Sequence, residues 1–284
     1  MIKIQFVYNI YKIIAIVFIL VLIFIAFYNG LVVRRYTLIT KKIQSNQSIR
    51  IVLVSDLHSK VYGENQTRLR SKIEAENPDI IALVGDIVDD SGRFEGVKLF
   101  LEAIKDIGPI YYVTGNHEIR TGQVDKIKDL FKSFGVYVLE NNLHKANIKG
   151  VNLIIAGVDD PNIVRYERTQ SNWYKEVYNS FSNIKDMEGY KILLSHRPEK
   201  VDLYSTLPFD LVLSGHSHGG QIRIPFLLNG LYAPHQGFFP KYAGGVYEFE
   251  NYTLVVSRGV YFNLFLPRIF NPPEIVVVDI EGME

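Results

Sequence analysis

Residues 13–33 carry no charged side chain and are dense in Ile, Val, Leu and Phe. Wound as a helix, that stretch reaches roughly 30 Å, the thickness of a hydrocarbon core, so the pattern predicts an uncleaved membrane-spanning anchor over residues 1–33. A cleaved signal peptide has a shorter apolar region, roughly 7–15 residues, ending at small residues. Here the run meets Phe27-Tyr28-Asn29 and offers no Ala-x-Ala site. Residues 34–48 are polar and basic, and read as a juxtamembrane linker able to lie against anionic lipid.

From Arg50 the texture alternates. Residues 51–54, 80–84 and 110–113 are continuous apolar runs, the mark of strands covered on both faces. Between and after them, 64–76, 94–107 and 124–134 carry apolar residues at helical spacing, the first ending before Asn77-Pro78, where a helix should stop. This βαβαβα order predicts a largely parallel sheet at the start of an α/β domain spanning 49–284. After Gly135 the strands shorten: 136–139, 144–148 and 151–156, with Lys149-Gly150 as a turn, read as hairpin and meander. A helix over 172–181 and strands over 191–194, 211–213, 246–249, 253–256 and 275–280 complete the reading. Two mixed sheets packed together with helices outside would satisfy it. No repeat of roughly 20–50 residues recurs, which excludes a solenoid or propeller.

Charge and composition narrow the possibilities further. Among 284 residues the formal net charge is +1 and the pI is near 7.8, so nucleic acid is not an expected partner. The oligomeric state is not legible. Cysteine is absent; there is no disulfide and no thiolate ligand, and any metal must be held by nitrogen and oxygen. Lys3 and Lys12 precede the apolar span while Arg34, Arg35, Lys41 and Lys42 follow it, a bias toward a cytoplasmic domain. Short basic N-terminal tails also stay inside, so the side of the membrane stays open.

The chemistry-bearing residues gather at strand ends. His216-Ser217-His218 follows the apolar run 211–213 inside the glycine-rich stretch Gly215 to Gly220. Residues two apart on extended backbone point the same way, so both imidazoles can face one site; alone, such a pair is also an ordinary surface or core feature. Three further histidines sit the same way: His58 after 51–54 with Asp56, His117 after 110–113 with Asn116, and His196 after 192–194. The run 80–84 delivers Asp86 and Asp89. In an open α/β sheet, ligands bind beyond the carboxyl ends of strands. His144, away from these ends, reads as structural, His235 as a loop residue, and Arg223 as pointing from a strand.

The blocks Asp56-Leu57-His58, Gly85-Asp86-Ile87-Val88-Asp89, Gly115-Asn116-His117-Glu118, His196 and Gly215-His216-Ser217-His218 closely resemble, in order, those of the calcineurin-like metallophosphoesterase superfamily. The resemblance covers about residues 50–280. It implies a four-layer αββα sandwich with two divalent metal ions, Mn, Fe or Zn, at the ends of its sheets. Carried over, Asp56, His58 and His218 would hold one ion, Asn116, His196 and His216 the other, and Asp86 would bridge them. His117 would be catalytic, bonding the substrate phosphate or leaving oxygen, and Asp89 would orient a ligand. The implied reaction is hydrolysis of a phosphodiester or pyrophosphate bond by a metal-bridging hydroxide, whose proton two cations make easier to lose. A phosphomonoesterase, or a binding module that holds metals without turnover, is the alternative.

The single span and Gly-His-Ser-His-Gly-Gly-Gln are similar to the membrane-anchored bacterial phosphodiesterase branch, which includes enzymes similar to UDP-diacylglucosamine pyrophosphatases. Gly157-Val158-Asp159-Asp160-Pro161 and the late Pro267-Arg268 and Pro273-Glu274-Ile275 also fit it. Where that branch commonly shows Arg-Gly-x-Gly, this chain has Arg258-Gly259-Val260-Tyr261. The implied location is the cell membrane, single-pass. Between Pro225 and Phe270, Phe226, Leu227, Leu228, Leu231, Tyr232, Phe238, Phe239, Tyr242, Tyr261, Phe262, Leu264, Phe265 and Leu266 lie among Gly- and Pro-rich loops; they either fill core beneath those loops or form an apolar wall for a lipid-linked rather than a soluble phosphorylated substrate.

Overall fold

The computed structural model describes residues 2–283 except 169 and 264. Leu264 of the apolar loop stretch, and the first and last residues of the expected anchor and domain, therefore lie outside the described residues. Helix α1 runs Ile2–Ala26. Its segment Gln5–Ala26, 22 residues, is long and apolar enough to cross a membrane, about 33 Å at 1.5 Å per residue. Within that segment the apolar side chains other than the buried Ala26 are exposed.

The helix begins and ends earlier than the expected span over 13–33. Lone Lys3 and Lys12 do not interrupt it, and Lys12 Nζ lies 4.4 Å from the Tyr8 ring centroid. Beyond Asn29-Gly30, Val32 and Val33 belong to strand β1 (Val32–Thr40), so the first half of the expected linker is sheet. β1 pairs in parallel with the last strand, from Val32↔Glu274 to Thr40↔Gly282, and its Tyr36 and Leu38 pack on the core. The Arg35 guanidinium grips Glu76 with bonds of 2.9 and 2.6 Å. An edge strand exposes alternate residues and is guarded by charge, so its composition imitates a linker.

The other strands are β2 (Ser48–Val54), β3 (Ile80–Val84), β4 (Ile110–Val113), β5 (Tyr137–Val138), β6 (Asn142–Ile148), β7 (Val151–Gly157), β8 (Tyr190–Leu194), β9 (Leu211–Ser214), β10 (Tyr232–Ala233), β11 (Gly237–Phe238), β12 (Gly245–Glu248), β13 (Thr253–Val256) and β14 (Glu274–Gly282). They form one six-stranded sheet ordered β1-β14-β2-β3-β4-β5, a second ordered β12-β13-β9-β8-β7-β6, and the separate β10-β11 ribbon. Outside the first sheet lie α2 (Thr67–Ala75), α3 (Glu95–Ile104) and, after the single turn α4 (Asn116–Arg120), α5 (Val124–Ser133). Outside the second lie α6 (Ile163–Tyr166), α7 (Trp173–Phe181) and α8 (Val201–Tyr204).

Alternation along each strand explains the layering. Ile51 and Leu53 point between the sheets toward Leu153, Ile192 and Leu211. Val52 and Val54 point the other way, under Leu69, Val97, Phe100 and Phe131 of the helices. On the second sheet Ile154, Leu193 and Val212 pack under Trp173, Val177 and Phe181. Both faces of these central strands are dry, which is why they read as unbroken apolar runs, and each fully buried Val, Leu or Ile contributes about 1.5–3 kcal/mol. The result is the expected four-layer αββα sandwich of two mixed sheets.

Candidate metal centre

β2, β3 and β4 run parallel, as do β7, β8 and β9, so their carboxyl ends open together. Loops after β2, β3 and β4 bring Asp56, His58, Asp86 and Asn116. Loops after β8 and β9 bring His196, His216 and His218. All seven are buried or nearly so.

The backbone at these positions is held in an uncommon conformation. Asp56, His58, Asp86, His216 and His218 have φ of 53°, 47°, 52°, 72° and 45°, a left-handed region that persists in side-chain-bearing residues only where the surroundings over-determine it. The surroundings are specific: Asp56 N–H donates to Gly85 O at 3.0 Å and His58 N–H to Asp86 O at 2.9 Å. His216 N–H donates to the Asp56 carboxylate at 3.1 Å. Glu118 locks two loops by accepting from the N–H groups of Asp86, Ile87, Val88 and Gly115 at 2.6–2.9 Å. Gly85 is obligatory, since a Cβ there would lie 2.4 Å from His196 Nδ1 and φ is +74°.

Three groups of side chains gather ligand atoms within 4.8 Å of one another: Asp56, His58 and His218; Asp86, His196 and His216; and His58, Asp86 and His117. Asp86 belongs to two of them. Its Oδ2 lies 3.1 Å from His196 Nε2, whose Nε2 is 3.2 Å from His216 Nδ1. His218 Nε2 lies 3.5 Å from Asp56 Oδ1, and the His58 and His218 rings stack at 5.3 Å.

The donor set fits divalent ions. His58 Nε2 and Asn116 Oδ1 are buried without any hydrogen-bond partner, a costly state unless something else takes the lone pair. His196 Nδ1 donates to Val84 O at 2.9 Å, directing Nε2 at the site, and His216 Nε2 faces His235 Nδ1 at 2.9 Å, directing Nδ1 there. Such outer hydrogen bonds orient ligating imidazoles.

Burial, above all, pushes His58 and His218 down to about 3 and His216 below its ordinary range, leaving neutral rings with free lone pairs. Burial also disfavours His196⁺, but the Asp86 carboxylate outweighs it and lifts His196 to about 10. Burial, then Asp86, lifts the Glu118 carboxyl to about 7, against four N–H donors that favour its charged form.

His117 stands at the mouth, its side chain 24% exposed. Its N–H donates to Asp86 Oδ1 at 2.8 Å, its Nε2 is 3.8 Å from Asp86 Oδ2, and its ring meets His58 edge-on at 4.4 Å. The acid beside its Nδ1 is Asp90, at 2.7 Å without the alignment of a hydrogen bond. Asp89, expected to orient a ligand, instead closes its own turn by accepting from Ser91 N–H at 2.8 Å. Asp89 and Asp90 both line the cleft over the centre, and Asp90 is the one beside His117.

Further side chains complete the surroundings of the site, and the sequence reading gave none of them a part in it. Arg197, directly after His196, is clamped by Asp160 through two bonds and places Nη1 3.3 Å from His216 Nε2 and 2.6 Å from His235 Nδ1. His235 lies in a turn, as expected of a loop residue, and from there also supports His216. Tyr261, at the departure from Arg-Gly-x-Gly, packs its ring 4.9 Å from His58, while at Gly259, φ +73°, a Cβ would lie 2.6 Å from the Asp56 Cβ. Arg268 lies with Nη2 3.3 Å from His218 Nδ1. The surrounding sequence hinted at Asp160 and Arg268, but nothing local indicated where they point. His144 bonds Tyr111 at 2.9 Å, as a structural histidine should.

A cleft of about 370 Å³ opens over the centre, walled by His58, His117, His218, Gln221, Tyr261 and Arg268. The apolar loop residues divide: Tyr242 is buried in core and Phe262 packs partly buried against it, whereas Phe226, Leu227, Phe238, Phe239, Phe265 and Leu266 are exposed. A second cavity, of about 660 Å³, lies at the root of α1 between Phe24, Ile25, Tyr28, Arg34, Arg223, Phe226 and Phe270. Arg223, whose Nε donates to Asn229 O at 3.1 Å, therefore projects into this cavity.

A family model described as calcineurin-like phosphoesterase matches residues 49–220. The chain belongs to that family. Calcineurin-like phosphoesterases use a dinuclear divalent metal centre, and this chain is accordingly a metal-dependent phosphoesterase. A metallophosphoesterase of Aquifex aeolicus is 30% identical over 88% of this chain and 92% of its own length. One of Campylobacter jejuni is 30% identical over 83% of this chain, which spans 60% of that relative's length. A zebrafish relative, named a transmembrane protein with a metallophosphoesterase domain, is 29% identical over 82% of this chain and 53% of its own. Among solved structures, the NAD nucleotidase of Haemophilus influenzae aligns with a TM-score of 0.54, 15% identity, 75% of this chain and 46% of that one. At that identity the likeness speaks for the calcineurin-like fold alone.

Proposed function

We propose that Asp56, His58 and His218 hold one divalent ion, Asn116, His196 and His216 a second, and that Asp86 is shared between them. The observation that carries this reading is the position of Asp86, whose carboxylate lies within 4.8 Å of ligand atoms on both sides. His117 then stands outside the ligand set as the acid or phosphate donor. Manganese, iron and zinc all suit a site of imidazole, carboxylate and carboxamide. When bound, the two ions would supply Lewis acidity and a readily ionised water. The chain's own part is to aim the rings, exclude bulk water beneath Tyr261, and hold a proton at His117 for the leaving oxygen. The bond cleaved is a phosphodiester or pyrophosphate.

The substrate is lipid-linked, in a single-pass protein of the cell membrane whose anchor comprises α1. Two features support this. The cleft and the cavity at the root of α1 share one ladder: Ile269 N–H donates to Gln221 O at 3.1 Å and Arg223 N–H to Ile269 O at 2.9 Å. Gln221 and Arg268 line the cleft, and Arg223 and Phe270 line the cavity. The exposed Phe226, Leu227, Phe265 and Leu266 form an apolar rim suited to a bilayer interface.

The test is a substrate panel on metal-loaded full-length protein in detergent micelles. It compares a short-chain soluble diester, its acylated counterpart, the matching pyrophosphates and a monoester. Higher kcat/KM on the acylated diester or pyrophosphate, reduced toward the soluble value by Phe265→Ser, is expected. Equal kcat/KM with and without acyl chains, or a monoester preferred to both, contradicts the proposal.

A further inference from the structure

Arg268 is a buried cation with no anion of its own. It is 2% exposed, and its Nη1 is buried without a hydrogen-bond partner. Among the described residues no carboxylate forms an ion pair with it. The acids that influence it most are Asp56 and Glu274, and both are engaged elsewhere. Asp56 accepts His216 N–H and faces His218; Glu274 accepts from Arg258 N–H and Arg258 Nη1 at 3.0 Å each. Burying a guanidinium unpaired is costly, and the fold keeps it nonetheless.

The chain directly after it is fixed in place. Ile269 joins the Gln221–Arg223 ladder, and Asn271 Nδ2 donates to His218 O at 2.8 Å and Gln221 O at 3.2 Å. The side chain is therefore a positioned group in the cleft wall beside His58, His117 and His218. Among the described residues its one polar side-chain contact is Nη2 to His218 Nδ1, at 3.3 Å. That contact needs a lone pair on Nδ1. Nη1 in any case lacks an acceptor, beside the metal groups assigned above, on which this step rests.

We propose that the missing acceptor is the substrate: Arg268 binds non-bridging oxygens of the phosphoryl group over the metal centre. A guanidinium matches phosphate oxygens with two parallel N–H bonds, and its charge offsets negative charge that builds on those oxygens during the displacement. Arg268 is thus a substrate-binding group supplied by the loop before β14, far along the chain from the metal-holding blocks.

The test uses full-length, manganese-loaded protein and compares Arg268→Met and Arg268→Lys with wild type. The readouts are metal content, the inhibition constant of inorganic phosphate, and kcat/KM on bis-p-nitrophenyl phosphate. Expected for Arg268→Met are unchanged metal, phosphate affinity weakened by about 10-fold or more, and kcat/KM lowered by about 10²-fold, with Arg268→Lys in between. Should the Met variant fail to fold, the Lys variant must still lose phosphate affinity without losing metal. Phosphate affinity and kcat/KM within twofold of wild type overturn the proposal. So does metal loss in step with activity, which would make Arg268 only a prop for the His218 loop. Wild type that neither binds metal nor hydrolyses the diester would instead sink the functional reading itself.

Discussion

At the scale of single residues, the site is built from groups whose protonation is set by burial and by one carboxylate. His58 and His218 are each pushed down to about 3, chiefly by burial, whereas unfolded imidazole titrates near 6.5. Below about pH 6.5 the unfolded chain takes protons that the folded chain refuses. The contribution of these two groups is therefore complete above that pH and is lost as pH falls toward about 3, by up to about 1.4 kcal/mol per pH unit for each. His196 runs the other way: lifted to about 10 by Asp86 against burial, it loses its contribution as pH rises from about 6.5 to about 10. We predict that metal-stripped protein in detergent melts at a lower temperature at pH 5 than at pH 6.5, and that His58→Asn flattens the difference. A melting temperature that holds or rises on acidification would contradict the burial argument. The positions of these residues were legible because each follows a dry strand. The partners Asp90, Arg197, His235 and Arg268 were not, because which side chain meets which across loops dozens of residues apart leaves no local pattern.

At the scale of elements, interior strands announced themselves and edges did not. β3, β4, β8 and β9 are buried on both faces and their apolar runs admit little else. β1 shows half its residues to solvent, carries Arg34 and Arg35, and adjoins an apolar helix, so composition assigned its first residues to the span and the rest to a linker. The consequence is practical. Removing residues 1–27 deletes α1 alone, but removing 1–41 also strips the strand that pairs with β14 from Val32↔Glu274 to Thr40↔Gly282 and uncovers the core beside Tyr36 and Leu38. We predict that the longer truncation melts at least about 4 °C below the shorter one, the shift that roughly 1–2 kcal/mol produces in a domain of this size, or aggregates through the bared edge. Equal melting temperatures and equal solubility would mean that β1 is dispensable.

At the scale of the whole molecule, no proposed ligand group belongs to one sheet. Asp56 and His58 follow a strand of the first sheet, and His218 one of the second. Asp86 and Asn116 come from the first, His196 and His216 from the second. Metal would therefore join the two halves of the sandwich at the end where α1 would bring it to the bilayer, and Asp86 is the carboxylate that both groups need. Metal content per chain, measured by elemental analysis on wild type, Asp86→Ala and His117→Ala, tests this most directly. The account predicts two transition-metal ions in wild type, loss of metal in Asp86→Ala, and two ions retained in His117→Ala, whose rate alone falls by about 10²–10⁴-fold. One ion or fewer in wild type, or the same metal loss in both variants, would contradict it.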